Sequence, residues 1–180
     1  MRDLEIRGAG NLLGSQQSGH IAAVGFTLYC QLLQRTIARL KGEKVAELVD
    51  VSLNLDFLDL SPASTDDEAA AALPYGYIEE DAQRMGFMKR LAEAADVKAV
   101  KALAAEMADR FGPLPPAARR LMLLGELRVK CARAQLGSVD VAGSRAVFYH
   151  AGRAGVAFVR ELKGKTPDRK LRELLDFRRP

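Results

Sequence analysis

The apolar residues of this chain change period twice, and few folds accommodate that order. Val49, Val51, Leu53, Leu55 and Phe57 alternate with Asp50, Ser52, Asn54 and Asp56, the period of two of a half-buried strand. Between about 77 and 135 the apolar positions move to helical spacing. One helix is expected over about 77–95, with Ile78, Met85, Met88 and Leu91 as its inward stripe. A second, over about 97–111, has Asp96 as its N-cap, Val100, Leu103, Met107 and Phe111 as its stripe, and Gly112 at its end. Pro113, Pro115 and Pro116 separate it from a third, over about 116–135, which Gly137 closes. Alternation then returns. Val139 and Val141, a Gly143-Ser144 turn, and Val147 and Tyr149 read as a hairpin. Val156 and Phe158 extend it by a strand after the 152–155 turn, and Thr166-Pro167-Asp168 starts a last helix over about 167–178. The fold class expected is α+β: a helix-rich domain over 46–180 with a small, mainly antiparallel sheet.

Two stretches stand apart from that pattern. Residues 61–76 read as a linker, in which Thr65-Asp66-Asp67-Glu68 ahead of four alanines caps a helical turn or two that Pro74 stops. Residues 1–45 read as a separate strand–loop–helix unit. Arg2-Asp3-Leu4-Glu5-Ile6-Arg7 alternates as a short strand, Gly8, Gly10 and Gly14 bracket a turn, and Leu28, Leu32, Leu33, Ile37 and Leu40 mark a helix over about 22–41.

Charge is segregated along the chain. Residues 46–83 carry ten acids and no Lys or Arg, whereas 84–135 carry eleven basic and five acidic side chains, and 136–180 carry ten and five. The net charge of +4 hides this division, which suits surfaces of two signs. No apolar run reaches the roughly 18 residues that span a bilayer, and acids occupy the N-terminus where a signal peptide is apolar. The expectation is a cytoplasmic chain without membrane contact.

Few residues carry recognisable catalytic chemistry. Gly164-Lys165-Thr166 imitates the end of a phosphate loop, but the pattern requires glycine where Val159 stands. His20 and His150 have no partners at metal-ligand spacing, and Cys30 and Cys131 belong to no C-x-x-C pair, which makes them small buried apolar residues. The acids of 56–68 lack the central glycine of a calcium loop. No cofactor or metal site and no enzyme activity are expected of this chain.

Residues 2–14, Arg-Asp-Leu-Glu-Ile-Arg-Gly-Ala-Gly-Asn-Leu-Leu-Gly, with Gln17-Ser18-Gly19, closely resemble a motif shared by the transcription-repair coupling factors and the RecG branch-migration translocases. Ser15 and Gln16 depart mildly from it. Leu73-Pro74-Tyr75-Gly76-Tyr77-Ile78, the helix through Arg84 and Lys89-Arg90-Leu91, and Asp109-Arg110-Phe111-Gly112-Pro113-Leu114-Pro115 resemble the C-terminal domain of the coupling factors alone.

The resemblance implies two jobs. Residues 1–45 would be the remnant of a helicase motor lobe, with Arg7, Gly8, Gly10, Gly14, Gln17 and Ser18 facing double-stranded DNA and coupling ATP hydrolysis to translocation. A guanidinium at Arg7 suits bidentate contacts to phosphate or carboxylate, and Gln17 offers both donor and acceptor. The residues themselves leave open that Arg7 pairs with Glu5 or Asp3 and that Gln17 caps the following helix. Residues 46–180 would be a regulatory domain that packs on the UvrB-like N-terminal module of the same parent. There it would mask the UvrA-binding surface until the motor engages stalled RNA polymerase. ATP and Mg would belong to the intact parent, whose ATP-binding motifs are expected ahead of Arg2. The alternative is a free-standing nucleic-acid-binding module using the basic helices of 84–135, with Arg119, Arg120 and Arg128 as its test positions.

Overall fold

The computed structural model describes residues 51–60 and 68–177. The strand at 2–7, the glycine-bracketed turn, the helix over 22–41, His20 and Cys30 lie outside the described residues. So do the proposed coupling positions Arg7, Gly8, Gly10, Gly14, Gln17 and Ser18.

The described order is β1 (Ser52–Leu55), α1 (Asp81–Glu93), α2 (Val97–Phe111), α3 (Pro116–Arg133), β2 (Leu136–Ala142), β3 (Arg145–His150), β4 (Val156–Glu161) and α4 (Pro167–Leu175). The strands form one sheet in the order β1-β2-β3-β4. β2–β3 and β3–β4 are antiparallel, as expected, whereas β1 runs parallel to β2 with Leu53 beside Val139. A parallel pair needs a long crossover, and the three helices between β1 and β2 supply it. The α+β class is as the periods required.

One core runs through the domain. α3 sits at its centre, with Ala118, Leu121, Leu124, Leu127 and Cys131 all nearly inaccessible. Its packing is tight enough that Gly125 is needed: a β-carbon there would stand 2.6 Å from Leu91 Cδ1. α4 buries Leu171 and Leu174 in the same core, and Phe148 stacks on Phe158 at 4.3 Å with Phe177 beside them.

Several element ends differ from the periodic reading. α1 starts at Asp81 rather than near 77, and its stripe is rotated: Arg84, Phe87, Leu91 and Ala92 face inward while Met85 is 50% exposed. Ile78 is buried, but ahead of the helix. The rotation goes with Arg84, whose guanidinium turns inward and donates to the carbonyls of Ile78 and Glu79 ahead of the helix.

The four alanines do not form a helical turn. Asp59 and Ala70 form a parallel bridge, Asp59 N donates to Ala69 O at 2.8 Å and Ala71 N to Asp59 O at 2.7 Å, and Ala70 to Leu73 are buried. Side chains this small let an extended segment lie flat on the core, so 69–74 is structure rather than linker.

Gly137 does not close α3 either. Gln135 takes the left-handed position at φ 57°. Gly137 lies inside β2 at an irregularity of the ladder, where a β-carbon would come within 3.1 Å of the backbone of His150 and Ala151.

The caps of α2 and α4 are as read: Asp96 accepts from Ala99 N at 2.7 Å, and Thr166 Oγ1 from Arg169 N at 3.4 Å. That second bond gives Thr166 its place ahead of the helix as the cap.

Candidate interaction surface

The exposed side of α1 and α2 carries an organised polar geometry. Its base is aromatic. Phe111, the last residue of α2, meets Tyr77 edge-on at 5.9 Å and Phe87 at 5.7 Å. The Tyr77 hydroxyl lies 2.8 Å from the C-cap carbonyl of Gly112 and 3.1 Å from Met107 O, so it donates at the C-terminal end of α2. Burial of the Tyr77 phenol raises its pKa. Gly112, at φ 85°, lets the chain turn away beneath it.

Above this base sits a charged network. Arg90 grips Glu106 in a two-pronged contact, Nη1 to Oε1 at 2.8 Å and Nη2 to Oε2 at 2.5 Å, and Arg110 reaches the same carboxylate at 3.4 Å. Both guanidinium groups lie near aromatic rings, Arg110 at 5.1 Å from Phe111 and Arg90 at 5.5 Å from Phe87. The hydrogen bond from Arg90 holds the Glu106 carboxyl below the usual carboxylate range, and the same bond raises the Arg90 pKa. Arg90 and Arg110 remain roughly half exposed. The charges are therefore held in fixed positions while facing solvent.

A second group lies at the start of α1. The Arg84 guanidinium lies 4.1 Å from the centre of the Tyr75 ring and pairs with Asp81. Tyr75 is 54% exposed, and the exposed acids Glu79, Glu80 and Asp81 flank it in sequence. Tyr and Arg held on rigid supports are the residue types that anchor protein interfaces.

The arginines named as nucleic-acid contacts are different. Arg120 and Arg128 are each 7% exposed. Arg120 bonds Asp168 at 2.9 Å and Ala70 O at 2.9 Å, joining α3 to α4 and to the alanine segment. Arg128 donates to Leu91 O and Ala94 O, capping the end of α1. Inward-facing positions of α3 cannot be offered to phosphates, which corrects the expectation for these two; Arg119 alone of the three is exposed.

Other sequence candidates have ordinary surroundings. His150 is flanked by Arg153, 2.8 Å from its Nε2. Cys131 is a buried thiol, as expected. Among the described residues no group of His, Cys, Asp and Glu is arranged to hold a metal, and no helix is long and apolar enough to cross a membrane. The periodic reading missed the Arg90–Glu106 pair because its members lie on different helices; the Glu106–Arg110 spacing of four was visible in the sequence.

Comparison with known proteins agrees with this fold. A model of the TRCF domain matches residues 68–159. Transcription-repair-coupling factors of Buchnera aphidicola, Mycobacterium tuberculosis and Escherichia coli are 38%, 37% and 37% identical over 71%, 82% and 70% of this chain. The chain spans only 15%, 12% and 10% of their lengths. A crystal structure of the C-terminal domain of transcription-repair coupling factor shares the fold, with a TM-score of 0.55 at 17% identity over 69% of this chain and 87% of that one. With more than half of its residues matched by the family model, the chain belongs to the TRCF domain family, that of the transcription-repair coupling factors.

Proposed function

We propose that residues 46–180 act as a regulatory docking module of a transcription-repair coupling factor. The module holds the UvrB-like N-terminal module of the same parent and masks its UvrA-binding surface. The observation that carries this reading is the Arg90–Glu106–Arg110 network on its aromatic base. A contact that must later be released is best made by a modest, partly polar interface, and these charges are already held in place before a partner arrives. Residues 1–45 serve the translocation motif. There Arg7 and Gln17, with Gly8, Gly10, Gly14 and Ser18, help turn Mg-dependent ATP hydrolysis in the parent into movement along double-stranded DNA. The chain itself is no ATPase, works in the cytoplasm, and meets RNA polymerase only through the parent.

The test is a binding measurement of the 180-residue chain against the isolated N-terminal module of a coupling factor, with double-stranded DNA titrated in parallel. The expected result is binding to the module that weakens at least tenfold in Glu106→Arg and little in Lys98→Glu. DNA affinity without module affinity would instead favour the nucleic-acid-binding alternative. DNA-stimulated ATPase activity of the purified chain would contradict the non-enzymatic assignment.

A further inference from the structure

β1 is where the chain arriving from residues 1–50 joins the described domain, and it is lightly held. With four residues it is the shortest strand of the sheet. Among the described residues it has a neighbouring strand on one side only, paired in the parallel sense, which is slightly weaker per residue. Within 51–60 only Val51 and Leu53 are fully buried; the other side chains are half-buried or exposed.

The contacts that fix the far end of β1 are polar and lie at the surface. Asp56 Oδ2 accepts from Gly143 N at 2.6 Å. Lys170 Nζ donates to Gly143 O at 2.7 Å and lies 4.9 Å from the centre of the Phe57 ring. Both backbone groups of one turn residue are thus taken by side chains from opposite ends of the domain. Asn54 Nδ2 adds a bond to Asp140 Oδ1 at 2.7 Å, also exposed. Bonds of this kind exchange readily with water, and each contributes little. Further along the chain the hold changes character. Asp59 bridges to Ala70, and Ala70 is inaccessible, with its carbonyl taken by the buried Arg120 at 2.9 Å. A release that starts at β1 therefore stops at Ala70.

We propose that 51–60 is a releasable strap, which leaves the sheet as a unit when the Asp56–Gly143–Lys170 latch parts, while β2, β3, β4 and the helices stay folded. Local openings of this kind lie below global unfolding in free energy and involve contiguous segments. Freed, the ten residues of the strap can span about 30 Å. That slack lengthens the tether between residues 1–45 and the rest of the domain, so that the domain can leave its docking site while the translocation motif stays where it is. This use of the slack rests on the proposed function; the opening itself does not.

Amide exchange of the 180-residue chain, followed through a urea series below the unfolding transition, tests the opening. Protected amides of 51–60, such as that of Asp59 bonded to Ala69 O, should exchange about tenfold or more faster than those of α3. Their rates should also depend less on urea, because less surface is exposed. Asp56→Ala and Lys170→Met should each quicken the strap by about threefold more. Phe158→Ala, on the strand farthest from β1, should quicken α3 and leave 51–60 as it was. A strap that exchanges at the α3 rate with the α3 urea dependence would overturn the proposal. So would a strap that Phe158→Ala quickens as much as α3, or that neither latch variant quickens. The urea series needs no variant, and no docking partner enters any readout, so failure here would leave the proposed function standing.

Discussion

Arg128 and Arg119 lie nine positions apart on one helix and do unrelated things. Arg119 faces water, whereas Arg128 is enclosed and donates to two carbonyls at the end of α1. Removing this buried donor takes its charged partner from Ala94 O and leaves Leu91 O only the 3.4 Å bond from Ala94 N, and a buried polar group left unsatisfied costs about 1–3 kcal/mol. Arg128→Ala should therefore lower stability by about 2–4 kcal/mol in urea titration, and Arg119→Ala by no more than about 0.5 kcal/mol. Equal effects would show that burial does not distinguish them. Cys131 gives a prediction in pH. Burial pushes its thiol from 9.0 up to about 12, so between those values the unfolded chain releases the proton first and the folded state holds it. The Cys131 contribution is intact below pH 9 and is lost as pH rises towards 12. Peptide mapping after alkylation at pH 8 should find Cys131 unmodified in the native chain and modified in urea.

At the scale of elements, a polar contact rotated one of the helices placed by period, α1, and left another, α2, as placed. The α2 stripe of Val100, Leu103 and Met107 is buried as its spacing required, because nothing polar on that helix needed the core. In α1 the guanidinium of Arg84 must reach two carbonyls ahead of the helix, which turns Phe87 inward and Met85 outward. The α1–α3 crossing rests on Gly125. Alanine there would gain about 1 kcal/mol of helix propensity, but its β-carbon would collide with the buried Leu91 side chain, and overpacking costs about 1–3 kcal/mol. Gly125→Ala should lower the thermal midpoint on balance, and adding Leu91→Val should recover part of the loss. An additive further loss in the double variant would show that the two residues do not compete for the same space.

Across the whole molecule, a single core joins α3 to the sheet and to α4. Arg120 extends this coupling by tying α3 both to Asp168 and to the alanine segment, so elements distant in sequence share one set of contacts. Leu121→Ala in α3 and Phe148→Ala in β3 should each cost about 2–5 kcal/mol. Each should move the same cooperative transition, whether followed by helical circular dichroism or by amide exchange in β2 and β3. Loss of the strands at a midpoint separate from that of the helices would mean two cores rather than one. The segregated charge noted in the sequence also acts at this scale. Arg120 and Arg128 are spent on holding the fold together, and Arg90 and Arg110 on an exposed network with Glu106, so a basic count overstates what the domain can offer to phosphates.

Local order along the chain determined most elements by itself. Alternation marked β1 to β4, the hydroxyl and carboxylate caps marked the starts of α2 and α4, and glycine marked the end of α2; these are short-range effects that hold wherever the segment is placed. Only the tertiary structure decided the parallel placement of β1, the burial of Ala70 to Leu73, the inward turn of Arg84, Arg120 and Arg128, and the pairing of Arg90 with Glu106. Each of those depends on which carbonyl, ring or carboxylate from a distant segment comes within reach. Periodicity records which side of an element is apolar, but not what the other side will meet.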